Sequence, residues 1–120
     1  MKSKPEELRD RTKRLAILIV KFYRALPPTD EARILGKQLL RCATSVAANY
    51  RAVGRARSRA EFISKLGTVV EEADESVFWL EMLIETDIVP KDRAEGLLRE
   101  ANELLAIFAA SQRTARANRK

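Results

Sequence analysis

Arg33, Lys37, Arg41, Arg51 and Arg55 fall on one face of a single helix when residues are turned by about 100° each, with Thr44 and Ala48 between them. Leu35, Leu39, Cys42, Val46, Tyr50 and Val53 fall on the opposite face. Arg57 and Arg59 carry the basic run into the turn beyond, so that Arg33–Arg59 holds seven Lys or Arg and no Asp or Glu. Arg outnumbers Lys six to one in that run. A guanidinium grips phosphate or carboxylate with a planar fork, which makes this a surface for anionic partners. A charge run is usually only a solvated face. Against that reading stand the 27 residues without an acid and the preference for Arg. No aromatic residue interleaves the cations to stack bases, so phosphate contact without sequence readout is expected.

The remaining reactive residues offer little. There is no His, which removes the commonest general base, the Ser-His-Asp and Cys-His arrangements, and the Glu-x-x-His ligands of di-iron bundles. No phosphate-binding glycine loop occurs, and one Cys makes no zinc site. Glu71, Asp74 and Glu75 share a helix face, with Glu72 beside them, and a hard cation could be imagined there. A solvated face, or one paired with Arg of a neighbouring subunit, is the simpler account. Cys42 has no evident activator and reads as a packed thiol in a reducing compartment. Trp79 reads as core, while Asn49 and Gln38 read as satisfying a helix end or a neighbouring helix. No catalytic residue, cofactor or metal is expected.

Four amphipathic helices must position these residues. Ser3-Lys4-Pro5-Glu6 is a capping box that opens a helix over about 5–25, with a core stripe of Leu8, Leu15, Ile19, Phe22 and Leu26. Pro27-Pro28 ends it, and Thr29 or Asp30 caps a second helix over about 30–53. Ser58-Arg59-Ala60-Glu61 is a second capping box, opening a helix over about 59–85 with Phe62, Leu66, Val69, Ala73, Val77, Leu80 and Ile84 inward. A fourth helix over about 91–112 presents Ala94, Leu97, Leu98, Ala101, Leu105 and Phe108, and a basic, frayed tail is expected over 113–120. No segment alternates with period two. The expected fold is all-α, an antiparallel up-down four-helix bundle in one domain over 1–120. Ala43, Ser45, Ala47, Ala48 and Ala52 make the second helix small-sided, which suits close approach by a neighbour.

Charge is unevenly divided. Residues 1–60 carry fifteen Lys or Arg against five Asp or Glu, and residues 61–120 carry eight against twelve, so the net charge of +6 joins a basic half to an acidic one. A charged stretch, Glu6–Arg14, follows the basic start where a secretory leader would be apolar, and the longest apolar run, Leu15–Val20, is too short to cross a membrane. A cytoplasmic location without membrane attachment is expected. Ile17 and Val20 lie away from the first core stripe, and Phe78 and Met82 lie nearly opposite the third. Pairs of this kind on two helices suggest a second buried surface, most simply between subunits of a homo-oligomer.

Leu26-Pro27, the run Gln38-Leu39-Leu40-Arg41-Cys42-Ala43-Thr44-Ser45-Val46-Ala47-Ala48-Asn49, Arg57-Ser58, Glu61-Phe62, Lys65-Leu66, Glu71, Glu75 and Trp79-Leu80 together resemble the bundle proteins related to the 23S rRNA intervening-sequence protein. The resemblance covers about residues 22–84. Where that family has Ile-Ala-Glu-Gly after the Asn, this chain has Tyr50-Arg51-Ala52-Val53, so a glycine and an acid are missing near the end of the second helix. The resemblance implies a cytoplasmic bacterial up-down bundle that assembles as a homopentamer without enzymatic activity. Similar proteins include accessory variability determinants of diversity-generating retroelements, basic pentamers that bind nucleic acid and reverse transcriptase, which implies RNA, DNA or a reverse-transcriptase-like protein as possible partners.

Residues and resemblance lead to one expectation: a non-enzymatic oligomeric adaptor whose Arg33, Lys37, Arg41, Arg51, Arg55, Arg57 and Arg59 bind nucleic acid or a nucleoprotein partner. The rival is a self-assembling structural protein in which the Arg stripe pairs with the acidic third helix of the next subunit.

Overall fold

Each of the first three helices starts where a short hydroxyl side chain takes up a free backbone N–H. In the computed structural model, which describes residues 1–118, α1 spans Lys4–Arg24, α2 Asp30–Val53, α3 Arg59–Glu85 and α4 Lys91–Ala117. The Ser3 hydroxyl accepts from the Glu6 N–H at 3.3 Å, and the Glu6 carboxylate accepts from the Ser3 N–H at 3.4 Å, a complete capping box. Thr29 caps α2 through the Ala32 N–H at 3.2 Å. At Ser58 only half of the expected box forms: its hydroxyl accepts from the Glu61 N–H at 3.0 Å, while the Glu61 carboxylate lies 3.8 Å from Arg57. The guanidinium offers that carboxylate a charged partner, which a backbone N–H cannot match.

The turn from α3 to α4 closes on a left-handed residue. Ile88 N–H donates to Leu83 C=O and Asp87 N–H to Ile84 C=O, the double bond pattern of a Schellman ending. Its left-handed position, φ 60°, is held by Asp87 where glycine is usual. Asp87→Gly is therefore expected to stabilise the fold by about 0.5–1 kcal/mol in urea denaturation. A loss of stability would mean that the Asp87 side chain contributes more than its backbone conformation costs.

Packing follows the chain order. Each helix lies against its sequence neighbours, α1 closes the circuit against α4, and the backbones of the diagonal pairs α1/α3 and α2/α4 stay apart while their side chains meet in the core, as Tyr50 of α2 meets Phe108 of α4. This is the all-α antiparallel four-helix bundle, and no strand occurs among the described residues. Its core joins Leu8, Leu15 and Ile19 to Leu39, Val46 and Tyr50 of α2, to Leu66, Val69, Leu80 and Leu83 of α3, and to Leu104 and Phe108 of α4. The α1–α4 seam is the thinnest and is bridged by Arg11, whose guanidinium donates to Glu100 at 2.7 and 3.1 Å and to Glu103 at 2.9 Å.

Several inward assignments shift by one residue. On α3, Ile63 and Leu83 are buried where Phe62 and Ile84 were expected, and Phe62 stays exposed. On α4, Leu104 is fully buried while Leu97, Leu98 and Leu105 are half-buried. Apolar residues adjoin at each of these places, so periodicity alone cannot choose between them. Thr12 and Ser76 enter the core because their hydroxyls donate back to Arg9 C=O and Glu72 C=O, at 3.0 and 2.8 Å. The α4 helix runs past its expected end at Gln112 to Ala117, since neither Pro nor Gly interrupts Arg113–Ala117 and Gln112 packs toward Gly67. Of the expected tail, Arg119 and Lys120 lie outside the described residues.

Candidate nucleic-acid interface

Antiparallel pairing of α1 and α2 sets the register of the charged residues. Tyr23 sits opposite Gly36 at one end of the hairpin and Arg9 opposite Gly54 at the other. The N-terminal half of α1 thereby lies along the C-terminal half of α2, and Arg9 and Lys13 form one bank of a groove whose other bank is Arg51 and Arg55. Thr44, Ala47, Ala48 and Gly54 complete a hollow of about 750 Å³. The small residues of α2 thus have two uses: Ala43 is buried in the core as expected, but Ala48 is exposed on the groove. Small side chains there form the floor of the groove.

Asp10 is the acid among the groove's lining residues, and it is paired with Lys2. That contact holds the Asp10 carboxyl below its ordinary range and the Lys2 ammonium above its own. Four cations therefore face one neutralised carboxylate. A further hollow on the outer side of α1, lined by Lys13, Arg14 and Lys21, extends the basic surface away from α2.

The seven cations of the Arg33–Arg59 run are all exposed, but they do not lie together as one set. Arg51 and Arg55 join the groove. Arg41 lies about 80° round α2 from Arg51, on the side toward α3, and its guanidinium reaches Glu72 at 3.5 Å and Glu75 at 3.4 Å. Arg33 and Lys37 lie outside the groove, Arg57 pairs with Glu61, and Arg59 lines a separate hollow with Phe62 and the end of α4. Arg9 and Lys13 were missed by reading the stripe alone. Their i, i+4 spacing and the antiparallel register were the signals available.

Other candidates resolve locally. Asn49 donates to the Ser45 carbonyl and hydroxyl, both at 2.9 Å, so it bonds its own helix rather than a helix end or neighbour. Gln38 accepts from Arg41 at 3.4 Å. Among the described residues no group of three His, Cys, Asp or Glu is placed to hold a metal ion. Ile17 and Phe78 are exposed, Val20 and Met82 half-buried, and the two pairs sit on diagonal helices whose backbones do not approach one another. Phe78 lies edge-on to Trp79 at 4.9 Å, and the buried Trp79 Nε1 has no acceptor.

Cys42 is completely buried, and burial pushes its thiol up to about 12 from an ordinary 9.0, with Arg41 opposing. A thiol that holds its proton more tightly when folded stabilises the fold fully below the unfolded value and loses that contribution as pH rises. Tyr50, raised by burial, acts in the same direction. Stability in urea is expected to decline from about pH 9 toward 12, and Cys42→Ala to show a shallower decline. Parallel profiles for the two proteins would remove the thiol from this account.

A model of the 23S rRNA-intervening sequence protein family matches residues 6–110. The chain belongs to that family. A crystallised protein of unknown function from the S23 ribosomal protein family of Bacteroides thetaiotaomicron VPI-5482 has the same fold, with 31% sequence identity and a TM-score of 0.82 over 92% of this chain and 99% of that one. No curated protein matches the chain. Membership of the 23S rRNA-intervening sequence family accounts for the four helices. No helix among the described residues of this family member is long and apolar enough to cross a membrane.

Proposed function

We propose that this chain is a non-enzymatic, oligomeric helical adaptor that binds nucleic acid along the α1–α2 groove. The observation that carries the reading is the meeting of Arg9, Lys13, Arg51 and Arg55 around a floor of small residues, with Asp10 neutralised by Lys2. Residues four apart on each helix lie one turn apart, so each bank offers two charges along the groove, as a phosphate backbone requires. Cations of this kind bind by releasing counterions from the phosphates, without reading bases.

Exposed Ile17 and Phe78, and the Trp79 N–H without an acceptor, support assembly through surfaces distinct from the groove. The resemblance noted in the sequence suggests a fivefold ring. The rival, with the Arg stripe paired to the acidic helix of another subunit, loses weight because Arg41 already meets Glu72 and Glu75 of its own chain.

The test is the salt dependence of binding to a mixed RNA and DNA oligonucleotide pool, read with light scattering after size exclusion. Four contacts at about 0.7–0.9 each predict that log affinity falls with log salt at a slope of about −2.8 to −3.6, on an oligomer that survives moderate salt. A flat response, or an oligomer that dissolves with salt and ignores nucleic acid, would end the proposal.

A further inference from the structure

The groove does not stop at the end of α2. A second hollow of about 320 Å³ opens at that end of the bundle, walled by Leu8, Tyr50, Val53, Phe62 and Leu66. It shares Arg9 and Gly54 with the basic groove, so the two hollows adjoin at Gly54, with the Arg9 guanidinium beside it. Its volume lies at the small end of the range of ligand pockets, and its walls are mainly apolar. Phe62 is the aromatic left exposed there, because Ile63 takes the inward position on α3. Behind the pocket, Tyr50 is held by Phe108, their ring centroids 4.9 Å apart.

Resting on the proposed nucleic-acid reading, we infer that the end pocket receives an unpaired nucleobase whose backbone phosphates lie in the groove, so that the ligand class is single-stranded nucleic acid. Charge selects the occupant. Toward the groove the pocket adjoins Arg9 and Gly54, with Lys13, Arg51 and Arg55 beyond them, which suits a flat apolar group joined to a run of negative charge. A nucleotide chain has that composition, and an apolar peptide segment does not. A duplex keeps its bases stacked and paired and can fill the groove alone. The Ser111 hydroxyl at the pocket donates to Ile107 C=O at 3.0 Å, so the wall offers an aromatic face more than a base-reading edge. Stacking of this kind tolerates any base. The sequence lacks an aromatic within the basic stripe. Folding brings one to its end from another helix.

The experiment compares the full chain with Phe62→Ala and Gly54→Leu. Gly54 has a right-handed backbone, and a Cβ there meets its nearest atom, Arg9 Nη1, at 3.4 Å, so a side chain can be built at the junction. Fluorescence anisotropy measures binding of a labelled twelve-residue single strand and of the same sequence as a duplex, and a 2-aminopurine in the single strand reports stacking. The expected result is quenching of 2-aminopurine on binding. Phe62→Ala is expected to lose about tenfold in single-strand affinity with duplex affinity and salt slope unchanged, and Gly54→Leu, at a position that also lines the groove, to lose more affinity for the single strand than for the duplex. Equal losses for both ligands, or no loss in either variant, would overturn the pocket and leave the groove standing. Failure of both ligands to bind the wild-type chain at low salt would overturn the groove reading and the pocket with it.

Discussion

Exchanging Arg51 and Arg55 together for Gln is expected to reduce the salt slope of nucleic-acid binding by about 1.4–1.8, half of what four groove contacts supply. The same double exchange at Arg33 and Lys37 is expected to leave most of the slope intact, although all four residues share one face of α2. The difference lies in what α1 contributes. Arg51 and Arg55 face Arg9 and Lys13 across a hollow, so a phosphate backbone can meet both banks, while Arg33 and Lys37 stand outside it. Arg41→Gln is expected to have a small effect on binding, because its guanidinium is shared with Glu72 and Glu75. Exposed pairs of this sort contribute about 0–1 kcal/mol to stability, so the fold should tolerate the change. Titrations at four salt concentrations decide the matter. Equal loss of slope in the Arg33/Lys37 and Arg51/Arg55 variants would mean that the whole stripe, and not the groove, meets the ligand.

Phe108→Ala is expected to cost about 3–5 kcal/mol, measured by urea denaturation. Phe108 is fully buried near the C-terminal end of α4 and packs its ring on Tyr50 of the diagonal helix. Removing it would leave a void at the centre of the bundle end, and a domain of this size commonly has only about 5–15 kcal/mol of stability in total. Phe108→Leu keeps most of the volume and is expected to cost less than about 1.5 kcal/mol. If Phe108→Ala loses under 1 kcal/mol, the end of the bundle can collapse around the void and is not tightly packed. The substitution also frees Tyr50, the rear wall of the end pocket, so stability and single-strand binding are expected to fall together in Phe108→Ala. Phe62→Ala, at the exposed rim, is expected to affect binding alone.

How much of this was legible in the chain depended on the range of the interaction. Local signals were read well. Ser3 with Glu6, Thr29 and the Pro27-Pro28 pair act within one turn of themselves, and they mark the ends of helices as the backbone hydrogen bonds require. The four-helix architecture followed from helical periodicity and short connections. The basic face of α2 was visible because seven cations and no acid occur between Arg33 and Arg59. Where two apolar residues stood side by side, as at Phe62 and Ile63 or Ile84 and Leu83, the inward one was undetermined, because a difference of about 100° on a helix broadly covered by neighbours costs little until those neighbours are in place.

The sequence by itself determined the number of helices, the residues that start them, the buried thiol and the sign of the charge on α2. Only the tertiary structure decided which of those charges lie together. Register across the α1–α2 hairpin brought Arg9 and Lys13 to Arg51 and Arg55, the packing of α3 turned Arg41 toward Glu72 and Glu75, and the choice of Ile63 for the core left Phe62 beside Gly54. The reason is the reach of the forces. Caps and periodicity act over three or four residues along the chain, whereas a groove is made by side chains some forty residues apart whose meeting depends on how two helices bury their apolar faces.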